Sequence, residues 1–109
     1  MGAVETMELF FERLNTGDRE GAVGLMSENA ELRVHVGDNS QLLRGVERVG
    51  GWFLRADRGL KMIPADIRDD GTTYECDVLV VRPGVNSQHL DATFRVEAGK
   101  ITTINLAPK

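Results

Sequence analysis

The chain has 109 residues, a net charge of −4 and 41% hydrophobic residues, the balance of one ordinary globular domain spanning 1–109. Its Lys and Arg residues do not cluster with aromatics, which argues against nucleic acid as a partner. The longest aliphatic run, Val78 to Val81, is far too short to span a bilayer, and the single cysteine, Cys76, has no partner for a disulfide and fits a reducing, cytoplasmic setting.

Val4, Met7, Phe10, Phe11 and Leu14 recur at helical spacing and predict a first helix that stops at Asn15-Thr16-Gly17. Asp18 then reads as the N-cap of a second helix running to about Met26. Glu31 to Val36 alternate, with Leu32, Val34 and Val36 against Glu31, Arg33 and His35, which predicts a strand with one wet face. His35 is expected to face outward with Arg33. Gly37-Asp38-Asn39-Ser40 reads as a loop. Val46, Val49, Phe53 and Ala56 mark a third helix, weakened by Gly50-Gly51.

From Leu60 the pattern turns to strands. Leu60 to Arg68 lead into Asp69-Asp70-Gly71, a hairpin signal, and Tyr74 to Arg82, His89 to Glu97 and Ile101 to Leu106 complete a four-stranded meander. The order predicts an α+β fold, with three N-terminal helices packed on one face of a curved, largely antiparallel sheet.

Several segments together resemble a known family. Phe10-Phe11-Glu12-Arg13-Leu14-Asn15-Thr16-Gly17-Asp18, Ala22-Val23-Gly24-Leu25-Met26 and Asn29-Ala30-Glu31-Leu32 are similar to the opening of SnoaL-like proteins. These belong to the nuclear transport factor 2-like superfamily, with ketosteroid isomerases and limonene epoxide hydrolases as relatives. Arg44-Gly45-Val46-Glu47 and Gly99-Lys100-Ile101-Thr102 also fit. The resemblance implies a cone, in which a strongly curved mixed sheet wraps the helices around a cavity, and frequent dimerisation through the outer sheet face. Phe10, Trp52, Phe53 and Phe94 are its expected aromatic walls, and Val34, Leu79, Ala92 and Leu106 its aliphatic ones.

The relatives' catalytic residues do not carry over as sets. Where ketosteroid isomerases have a Tyr and two Asp residues, this chain has Phe10, Val34 and Ala92. Of the Arg, Asp and Asp used by epoxide hydrolases, only the first Asp is matched, at Asp77; the other positions carry Glu75 and Leu106.

Glu75 and Asp77 are nevertheless the candidates for chemistry. If Pro83 to Asn86 form the connecting loop, Asp77 faces Ala92, Glu75 faces Phe94 and Leu79 faces Leu90, which turns both acids toward the helices and cavity. Asp77 in that setting has a raised pKa suited to a general acid or base, with Glu75 tuning it. The alternative is that both acids ring the open mouth as solvated groups. The same register places Cys76, Val78 and Val80 outside with His89 and Asp91, a face suited to a homodimer. His89 then pairs with Val80, about 13 Å from Cys76, too far for a catalytic dyad. No metal-ligand spacing and no phosphate loop is present, so no metal or cofactor is expected. The resemblance implies a SnoaL-like pocket for a small, largely apolar molecule, with isomerase, cyclase or hydrolase chemistry through Asp77. The rival is a non-catalytic dimeric ligand-binding or protein-interaction module.

Overall fold

The helical spacing of the first segment is realised in α1 (Ala3–Asn15), which buries Met7, Phe10, Phe11 and Leu14 on one side. The computed structural model describes residues 2–55, 59–71 and 73–109, with the backbone alone at Val36. After α1 come α2 (Arg19–Val23), β1 (Met26–Val36), β2 (Asn39–Arg44), α3 (Val46–Leu54), β3 (Lys61–Asp69), β4 (Tyr74–Val81), β5 (Gln88–Glu97) and β6 (Lys100–Pro108). Ala56, expected in the third helix, lies outside the described residues.

The strands form one six-stranded sheet in the order β2-β1-β6-β5-β4-β3. The predicted meander is present from β3 to β6. β1 joins it parallel to β6, and the segment read as a loop turns back as β2. A two-residue connection makes that hairpin possible, with Val36 paired to Asn39 and Gly37 at φ 59°. The architecture is a mixed α+β sheet backed by three helices, as expected. The sheet is not strongly curled, which corrects the steep cone implied by the resemblance.

Three joints fix the helices to one another and to the sheet. Gly17 at φ 92° turns the chain after α1, and the Asp18 carboxylate accepts from the Gly21 N–H at 3.0 Å to start α2. A Cβ at Gly50 would meet Val23 Cγ1 at 2.8 Å, so this helix-weakening glycine is what lets α3 approach α2. Phe10 meets Phe11, Phe53 and Phe94 edge-to-face at 5.5, 5.4 and 5.9 Å between ring centres, joining α1, α3 and β5.

Asn15 makes the fourth joint. Its amide nitrogen donates to the Met62 carbonyl at 2.8 Å, and its oxygen accepts from the Met62 N–H at 2.7 Å. β3 is an edge strand, so this side chain supplies what the next strand's peptide would. Asn15→Ala is expected to cost about 1–3 kcal/mol in urea unfolding, because both Met62 groups lose their partner. Asn15→Asp should not restore the loss, since a carboxylate cannot donate to the carbonyl; full rescue by Asp would refute the two-bond clamp.

Candidate functional site

The placement of every candidate turns on the β4–β5 register. Glu75 pairs with Thr93, Cys76 with Ala92, Asp77 with Asp91, Val78 with Leu90 and Leu79 with His89. The expected register is therefore wrong by one residue, and with a side-chain period of two that slip exchanges the faces of β4. Extrapolating the observed pairing past Val80 and Gln88 leaves an odd-numbered loop where an even one was assumed. Cys76, Val78 and Val80 point into the core, while Glu75, Asp77 and Leu79 stand on the outer face. β5 itself faces as predicted, with Ala92 and Phe94 buried and His89, Asp91 and Arg95 exposed.

Asp77 thus lies outside the apolar interior, in a charged cluster. Lys109 Nζ sits 2.8 Å from its carboxylate and 3.9 Å from that of Asp91. Arg68 lies 3.7 Å from Asp77 and 4.0 Å from Glu75. The hydrogen bond from Lys109 holds Asp77 below its ordinary pKa, outweighing partial loss of hydration, and the same contact raises Lys109. This overturns the raised pKa on which the acid–base assignment of Asp77 and Glu75 rested. Cys76 is inside rather than on a shared face with His89 and Asp91, and burial pushes its thiol up to about 11.

The inner face opens at one end of the sheet into a cavity of about 530 Å³. Its floor is Trp52 from α3, Leu60 and Met62 at the start of β3, Val80 from β4 and Leu106 from β6. Val34 and Leu90, both half-buried, extend the apolar wall. Of the residues expected to line a pocket, Val34, Trp52 and Leu106 are there. Phe10, Phe53, Ala92 and Phe94 are packed in the core instead, and Leu79 is on the far face of the sheet.

The polar lining consists of His35, Gln41, Arg82, Gln88, His89 and Lys109, and none of the described lining residues is Asp or Glu. His35 keeps the expected outward parity of Arg33 and is half-buried at the cavity's rim, 3.0 Å through Nε2 from Asn105 Oδ1 on the same face. An amide oxygen only accepts, so Nε2 is the donor in this contact. Among the described residues no cluster of His, Cys, Asp and Glu could hold a metal ion, and no helix is long and apolar enough to cross a membrane.

Comparison of the sequence with protein-family models and with curated proteins finds no match. Solved structures do match. An NTF2-like protein of unknown function from Cytophaga hutchinsonii superposes with a TM-score of 0.84 at 16% identity, over 100% of this chain and 91% of that one. A proposed ketosteroid isomerase from Kribbella flavida gives 0.81 at 15% identity, over 96% and 76%. A proposed polyketide cyclase from Sinorhizobium meliloti gives 0.78 at 17% identity, over 94% and 93%. The fold is nuclear transport factor 2-like. Within that fold the cavity sits between α3 and the ends of β1, β4 and β6, and the fold by itself selects no reaction.

Two outcomes test the corrected register. A depressed carboxylate pKa stabilises the folded state above the unfolded value of about 3.9 and loses that contribution as pH falls through the folded value. Asp77→Asn should therefore unfold earlier in urea than wild type at pH 7, with the difference shrinking toward pH 3; a more stable Asn variant at pH 7 would restore the buried acid. Cys76 should resist a thiol reagent at pH 8 in native protein, its thiolate fraction about 100-fold below that of an ordinary thiol. It should react at once in denaturant, and rapid native labelling would put it back on the outer face.

Proposed function

We propose that the protein is a small-molecule pocket domain that takes a largely apolar ligand against Trp52, Met62, Val80 and Leu106. The observation that carries this reading is the cavity itself, of ligand size and walled by aliphatic and aromatic side chains with a few polar groups at its mouth. Asp77 has no part in it, being ion-paired on the other side of the sheet. Binding without catalysis is the simpler reading, since no described lining residue is a carboxylate. Isomerase or cyclase chemistry, suggested by the fold likeness to the Kribbella and Sinorhizobium proteins, would fall to His35, whose ring Asn105 holds at the mouth.

A homodimer through the outer sheet face belongs to this reading in altered form. With Val78 and Val80 turned inward, that face carries Arg33, Thr93, Arg95 and Asn105 around a shallow groove, so its contacts would be polar and salt-sensitive. The one buried, unpaired cysteine supports a reducing, cytoplasmic setting.

Trp52 is the chain's one tryptophan and lines the cavity, so its fluorescence reports occupancy directly. Titration with 1-octanol should shift and saturate the emission. Val34→Phe, which fills the wall, should abolish the response while leaving circular dichroism unchanged. An unchanged emission in the wild type on saturating octanol would overturn the proposal.

A further inference from the structure

The charge around the cavity is one-sided. Arg82 and Lys109 reach its lining, with His35 and His89 beside them, and none of the described lining residues is acidic. The two cations are not equivalent. Lys109 is committed to the outer face, where its ammonium sits 2.8 Å from Asp77 and 3.9 Å from Asp91. Arg82 follows the last residue of β4 and makes no ion pair with any described residue. An unpaired guanidinium at the rim of an apolar cavity has a free fork of donors, shaped to take a carboxylate through two parallel hydrogen bonds. Gln41 and Gln88, also at the lining, carry amide N–H groups that can donate to the same oxygens.

Resting on the pocket reading above, we propose that the ligand is an amphipathic organic acid, its apolar body against Trp52 and Leu106 and its carboxylate at Arg82. The arrangement divides the two tasks. The aliphatic floor selects for buried apolar area and is indifferent to the head group. Arg82 selects for a negative head and disfavours a positive one, because no described lining carboxylate would answer a cation. The net charge of the whole chain is −4, so this local preference runs against the general field and has to come from the rim.

The test uses octanoate and 1-octanol, which share a chain and differ in the head group, read by Trp52 emission at pH 8 and low salt. Octanoate is expected to bind about ten-fold more tightly than octanol, with added salt narrowing the gap. Arg82→Gln, a change at an exposed residue, should bring octanoate to within about two-fold of octanol while leaving octanol affinity as in the wild type. Equal affinity of the two in wild type, or a preference for octanoate that survives Arg82→Gln, would overturn the anion inference while octanol binding upheld the pocket. Failure of both probes to bind would refute the pocket reading and this inference with it.

Discussion

The Asn15–Met62 clamp is the contact on which the site most depends. The cavity floor includes Leu60 and Met62, which belong to the edge of the sheet and to the approach into it. An edge strand has backbone groups with no neighbour on one side, and only β4 holds β3 on the other. Asn15, the last residue of α1, bonds both backbone groups of Met62 and so sets the distance between the helix layer and this strand. If β3 slid along or away from β4, Met62 and its part of the cavity floor would move with it. The clamp also explains the Leu14-Asn15-Thr16-Gly17-Asp18 segment without any catalytic role. Leu14 is buried, Asn15 holds the sheet, Gly17 supplies the positive φ, and Asp18 caps the next helix.

The second constraint is the parity of a loop. β4 presents either Cys76, Val78 and Val80 or Glu75, Asp77, Leu79 and Val81 to the helices, and one residue in the loop before β5 decides which. Burying the first set completes an apolar interior with Ala92 and Phe94; burying the second would have brought two carboxylates into it at high cost. The structure takes the first option and gives the carboxylates partners outside. Asp77 and Asp91 stand directly opposite one another, a pairing of like charges that would be unfavourable alone. Lys109 approaches both and Arg68 approaches Asp77, so two cations offset the facing pair where it stands.

Much of this was open to reading in the chain. The α1 face, the Asp18 cap and the β3–β6 meander follow from spacing and turn residues alone, because each is a local pattern with its own punctuation. β2 was hidden, since Asn39, Ser40 and Gln41 are exposed polar residues in an edge strand and show no alternation of burial. The parallel pairing of β1 with β6 joins distant segments and leaves no local trace. The facing of β4 is legible in its first half. Tyr74, Glu75, Cys76 and Asp77 alternate apolar and charged, which by itself turns the acids out. Val78 to Val81 are all aliphatic and carry no such signal, so an assumed loop length decided the register. Local alternation is the stronger guide there, because it reflects the cost of burying charge, whereas loop length is nearly free to vary.

The pocket was only partly legible for a related reason. Aromatic residues look like cavity walls in a sequence, and four large buried rings invite that reading. In the fold Phe10, Phe11, Phe53 and Phe94 pack against one another edge-to-face and fill the space between helices and sheet. A cavity opens instead at the strand ends, and its lining joins strand residues such as Val80 and Leu106 to residues just outside the strands, such as Leu60 and Arg82. These positions lack periodicity, so composition alone cannot mark them. They are also where the chain is least constrained by the core, and a residue such as Arg82 can change there without disturbing any packed contact. In this arrangement the aromatic centre sets the fold and the strand ends set what the fold holds.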